Sequence, residues 1–157
     1  MVKRIDYTLE LIEAARSVLL EIMRVLGECQ NDIVIVGGWV PELLLTQADE
    51  EHIGSIDVDL ALNHRRLDEV GYKTILELLL ARGYVQANYQ PFIFYRTVSV
   101  GDHEIEVEVD FLAGEYRGTG KRRRTQRVQD MRPRKARGMD LVFDSPEKIV
   151  INGRLPG

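Results

Sequence analysis

The chain has 157 residues, 45% of them hydrophobic and 29% charged, with a formal net charge of −4. One domain of that length buries about 68–70% of its unfolded surface and needs neither a disulfide nor a structural metal, and the composition excludes a disordered or membrane-embedded chain. The net charge, taken alone, argues against a simple nucleic-acid binder. The single cysteine, Cys29, cannot close an internal disulfide, and Asp6, Glu10, Glu13 and Arg16 interrupt any apolar leader. A cytoplasmic protein with no membrane partner is therefore expected.

Asp6 or Thr8 caps a predicted helix that runs to about Leu26, with Leu9, Ile12, Val18, Leu19, Ile22, Val25 and Leu26 at helical spacing and Gly27 as its stop. The β-branched run Ile33 to Val36 has no polar alternation and reads as a central strand covered on both faces. Gly37-Gly38 breaks it, and Trp39 to Leu45 starts a short helix with Pro41 in its first turn. Thr46 to Ser55 is polar and reads as a loop.

The next strand, Ile56 to Leu62, carries Asp57-Val58-Asp59. The side-chain period of a strand is two, so both carboxylates point to one face while Ile56, Val58 and Leu60 point into the core. The two charges then lie about 6.6 Å apart and repel by about 2–3 kcal/mol at an effective dielectric near 20. Either basic side chains neutralise the pair or it holds a divalent cation through hard oxygen ligands. Asn63 caps a further helix, broken near Gly71, that turns Ile75, Leu76, Leu79 and Leu80 inward and stops at Gly83.

Phe92 to Val98 and the segment after Gly101-Asp102 form a hairpin. In the second arm Ile105, Val107, Val109 and Phe111 alternate with Glu104, Glu106, Glu108 and Asp110, giving one core face and one row of acids. Residues 120–138 are a basic loop or segment, in which nine lysines and arginines between Lys121 and Arg137 face the single acid Asp130. Asp140 to Phe143 and Lys148 to Ile151 read as two more short strands.

The order is helix, strand, Gly-Gly, helix, strand with Asp-x-Asp, helix, and hairpin with a carboxylate late in its second arm. It resembles the nucleotidyltransferase superfamily related to polymerase beta. The Gly-Gly variant is most similar to the abortive-infection AbiEii/AbiGii-type toxin nucleotidyltransferases. The carrying residues are Gly37, Gly38, Asp57, Asp59 and Asp110, with Arg137 to Phe143 and Ile151 to Pro156 similar to the stretch that closes the catalytic half. The resemblance covers nearly the whole chain. It implies one catalytic domain over 1–157 with an α/β (α+β) architecture, the minimal nucleotidyltransferase fold, in which a small mixed sheet is flanked by helices.

The implied activity is transfer of a nucleoside monophosphate from an NTP to a hydroxyl of RNA, such as tRNA, or of a protein. Mg2+ or Mn2+ is the implied cofactor, and an antitoxin protein is an implied partner. Asp57, Asp59 and Asp110 would hold the metal, and Asp110 would also take the proton of the attacking hydroxyl. Gly37 and Gly38 would let the backbone approach phosphate oxygens at a helix amino end.

Each residue also has a plainer reading. Gly37-Gly38 suits any tight turn, Ser55 either orients a phosphate or bonds its own loop, and Trp39 is read as a packing residue. His52, His64 and His103 show no ligand spacing. Two features depart from the family pattern. Gly38 stands where many members carry serine, and the longer relatives continue into a helical C-terminal domain that this sequence is expected to lack. A catalytically weak or inactive module that binds a nucleotide or an antitoxin is the alternative reading.

Overall fold

A computed structural model of the chain describes residues 4–40, 56–67, 74–114, 124–126, 128–151 and 153–156, the side chains of residues 4–8 excepted. Helix α1 spans Arg4–Val25. Its Ala14, Ala15, Val18, Leu19 and Ile22 are fully buried, which is the stripe expected from their spacing, whereas Leu9 near its start is exposed. Leu26 ends the α-helical run, and a 3-10 helix, Gly27–Asp32, leads into the sheet.

The strands are β1 (Ile33–Val36), β2 (Val58–Leu62), β3 (Val85–Gln86), β4 (Ile93–Val100), β5 (His103–Ala113) and β6 (Arg134–Lys135). They form one mixed sheet in the order β1-β2-β5-β4-β3, with β6 also paired to β5. β1 runs antiparallel to β2, β2 parallel to β5, and β4 antiparallel to β5. The fold is thus α+β, a six-stranded mixed sheet flanked by helices. No helix among the described residues is long and apolar enough to cross a membrane.

The hairpin β4–β5 follows its sequence pattern. Gly101 takes φ +58° in the turn, a conformation that favours glycine. Ile105, Val107, Val109 and Phe111 are buried, and Phe111 meets Phe94 edge to face with ring centroids 5.5 Å apart. α1 packs across β2, β4 and β5, so the inward residues of all three strands share one core with the helix. Helix α2 (Ile75–Ala81) starts at a capping box: Thr74 Oγ1 accepts from the Glu77 amide at 3.1 Å, and the Thr74 amide donates to Glu77.

Several expectations are corrected. β1 is not central but lies at one end of the strand order, and only its Ile33 is fully buried. A β-branched run does not distinguish a covered edge from a central strand. β2 starts at Val58, which leaves Ile56 half exposed rather than inward. Leu80 faces outward on α2, because burial of Ile75 and Leu79 sets the inner stripe. Leu141–Phe143 is a short 3-10 helix, and Lys148 to Ile151 pairs with no strand. Gly138 at φ +84° turns the chain just before that 3-10 helix.

The basic segment is not simply a loop. Arg134 and Lys135 form β6, Val128 and Met131 are fully buried, and Gln126 is buried with its Nε2 donating to the Gly114 carbonyl at 2.8 Å. The expected helix beyond Val40, the loop to Ser55, the break near Gly71 and Lys121 to Arg123 lie outside the described residues.

Candidate functional site

The register of β2 on β5 sets Asp59 directly beside Asp110. Adjacent strands lie about 4.8 Å apart and paired residues point to the same face, so the two carboxylates project together away from the core. Along β5 the acids become progressively more covered. Glu104 and Glu106 are exposed, Glu108 and Asp110 half-buried. Asp57 sits just before β2 rather than within it, and its charge is felt at both Asp59 and Glu108.

Gly37 completes this corner. Val36 is the register partner of Asp59, and Gly37 follows at φ +77°. A Cβ at Gly37 would collide with Asp59 Oδ2, so any other residue there meets an unfavourable backbone conformation and displaces the Asp59 carboxylate. Gly38 is exposed beside it. Val40 donates to the Gly37 carbonyl at 3.2 Å as the chain turns into helical backbone at Trp39 and Val40. Trp39 is buried, with its indole Nε1 unpartnered, and belongs to the core as expected. Ser55, the other expected phosphate contact, lies outside the described residues.

The cation at the cluster comes from β6. Arg134 is in register with Leu112, two residues beyond Asp110 on the same face, and its Nη2 donates to Asp110 Oδ2 at 3.0 Å. Its guanidinium also lies 5.8 Å from the centre of the Phe92 ring. Asp110 Oδ1 is buried and has no hydrogen-bond partner among the described residues. Tyr95, the register partner of Glu108, donates a long bond of 3.4 Å to Glu108 Oε1.

Charge crowding follows from this placement. Burial pushes the Asp59 carboxyl above its ordinary range, Asp110 and Asp57 add to the rise, and Arg134 opposes it. Asp110 is also raised by burial, against the hydrogen bond and charge of Arg134. Glu108 is raised by burial and then by Asp57, with the Tyr95 hydrogen bond pulling the other way. Among the described residues, the Arg134 charge is felt at Asp59 and Asp110, and it does not cancel the rise that burial causes at either.

As a donor set, Asp57, Asp59 and Asp110 suit a hard divalent cation: all are carboxylate oxygens, and Asp110 Oδ1 is desolvated without a partner. Among the described residues, however, no three His, Cys, Asp or Glu side chains close up into a ligand shell as they stand. Sequence reasoning did not single out Arg134 from the basic run. No composition signal distinguishes it, because its role depends on the pairing of β6 with β5. No family model matches the chain, and no curated protein or solved structure is significantly similar to it.

Proposed function

We propose that the chain is a Mg2+- or Mn2+-dependent nucleotidyltransferase of the polymerase beta-related kind, with Asp57, Asp59 and Asp110 as metal-binding carboxylates. The observation that carries this reading is the side-by-side register of Asp59 and Asp110 on parallel strands, with Gly37 packed against Asp59. Its support is physical. Carboxylates gathered at a half-buried position, where burial disfavours the charged forms of Asp59 and Asp110, form a site whose free energy falls on binding a cation.

Asp57, Asp59 and Asp110 would hold a divalent ion, which would supply positive charge against the negative charge that develops during displacement at phosphorus. The chain's own residues bind and orient. Asp57 and Asp59 offer oxygens from the start of β2, and the open backbone at Gly37-Gly38 lets phosphate oxygens approach. Asp110 takes the proton of the acceptor hydroxyl as its oxygen bonds the α-phosphorus and pyrophosphate leaves. Exposed Arg124, Arg132 and Arg137 on the segment that delivers β6 favour an anionic acceptor, so RNA, tRNA included, is proposed ahead of a protein hydroxyl. A toxin role with a cognate antitoxin rests on the sequence resemblance.

One observation favours the second reading, an inactive nucleotide- or antitoxin-binding module: Arg134 already occupies Asp110 Oδ2. The experiment that separates the two is incubation with each α-labelled nucleoside triphosphate, Mg2+ and total RNA, for the wild type, Asp57→Ala and Asp110→Ala. The enzyme reading expects label on RNA in the wild type and a loss of about 100-fold or more in both variants. Nucleotide binding without transfer selects the module, and no Mg2+-dependent binding rejects both.

A further inference from the structure

Resting on the carboxylate site just described, we propose that Arg134 is an exchangeable counter-cation: it holds one oxygen of Asp110 while no divalent cation is present and has to release that oxygen for one to bind. The geometry is that of an occupant that can leave. Contact with Asp110 is through Nη2 alone, at 3.0 Å to Oδ2, whereas a guanidinium locked onto a carboxylate makes two parallel bonds. The Arg134 side chain is 44% exposed and Asp110 only 16%, so the arginine can move into water while the carboxylate cannot.

The guanidinium already lies 5.8 Å from the centre of the Phe92 ring while it bonds Asp110, so that contact does not depend on the carboxylate and can persist once the carboxylate oxygen is released. Oδ1 of the same carboxylate stays buried and unpartnered, so Arg134 satisfies only half of Asp110. Lys135 and Ala136 fix the backbone beside it, through bonds of 2.9 Å to the Arg124 and Ala113 carbonyls. The exchange is therefore a side-chain motion on a fixed strand. Its consequence is that Arg134 weakens cation affinity, and that removing its charge strengthens it.

The test is titration of the full chain with Mn2+, following the free ion by electron paramagnetic resonance, for the wild type, Arg134→Gln and Asp110→Asn. Arg134→Gln is expected to bind Mn2+ about three- to tenfold more tightly, the solvent-discounted effect of one charge, and Asp110→Asn about tenfold or more weakly. In the 15N-labelled wild type, saturating Mg2+ is expected to shift the guanidinium resonances of Arg134, a readout that needs no variant to fold. Equal or weaker Mn2+ binding by Arg134→Gln with the usual loss in Asp110→Asn overturns the exchange and leaves the carboxylate site standing. Unmoved Arg134 resonances at saturating Mg2+ overturn it too. Failure of both wild type and Arg134→Gln to bind Mn2+ rejects the carboxylate site itself.

Discussion

Two charged regions of this molecule solve opposite problems. On the core side, Glu21 of α1 is 1% exposed and is clasped by two arginines: Arg96 Nε at 3.0 Å on one oxygen and Arg82 Nε at 3.2 Å on the other. On the far face of the sheet, Arg134 bonds one oxygen of Asp110 and its charge reaches Asp59, while Asp57 and Glu108 crowd the same corner with further negative charge. The first is over-supplied with positive charge and is structural. The second shows, among the described residues, one ion pair, from Arg134 to Asp110, and its acids are brought together by the pairing of the strands that carry them. Local burial of charge thus does not distinguish a structural pair from a binding site; the balance of charge within it does.

The largest test of that contrast is Glu21→Ala. It leaves Arg96, four-fifths buried, and Arg82 without their shared carboxylate, and it is expected to destabilise the fold by about 3 kcal/mol in urea denaturation. A loss below about 1 kcal/mol would show that the arginines find water as readily as Glu21 and would end the contrast.

Gly37→Ala is next. The positive φ and the approach of Asp59 together predict a loss of about 1–3 kcal/mol, with Asp59 displaced and divalent-cation binding impaired. Unchanged stability would mean that the Gly37 backbone relaxes at no energetic expense.

Asp59→Asn has the smallest effect and the opposite sign. The folded-state pKa of Asp59 is raised, so at neutral pH its ionised form opposes folding, and the stability it withholds returns as pH falls through the raised value to the ordinary carboxylate range. The asparagine variant is therefore expected to be more stable than wild type at pH 7 by about 1 kcal/mol, or about 2–4 °C in Tm. That advantage should close on acidification in the absence of divalent ions. A variant less stable than wild type at pH 7 would place Asp59 among satisfied structural charges, beside Glu21.

What the sequence disclosed about these two regions was unequal for physical reasons. The acid row on β5 was legible because strand periodicity assigns alternate residues to faces without knowledge of the partner strand. The glycine pair was legible because Gly37 occupies a conformation few other residues adopt. The neighbouring positions of Asp59 and Asp110 were expected from the family resemblance alone and not from periodicity, since strand register between segments fifty residues apart is set by packing rather than by any local signal. Arg134 was hidden for the same reason, in a basic run whose members look alike until one docks.

The tail shows the converse failure. Lys148 to Ile151 has strand composition, yet Val150 is 87% exposed and the segment pairs with nothing, because propensity cannot supply a partner edge. The placement of Glu21 between Arg82 and Arg96 likewise needed the packing of α1 against both α2 and β4.

The relay of strands along β5 has a mechanical meaning. β2 holds one edge of its last residues, so β6 takes the other, which β4 occupies only as far as Asp110. Asp110 therefore stands at a seam where an antiparallel neighbour ends and a parallel one begins, bridged on one side by the Phe111 amide to the Phe92 carbonyl and on the other by Ala136 to Ala113. β2 runs unbroken past this seam, paired to β5 from Val109 to Ala113. The segment that delivers β6 therefore meets the acid row at one carboxylate, Asp110, which Arg134 bonds, while β2 and β4 hold the strand that carries it.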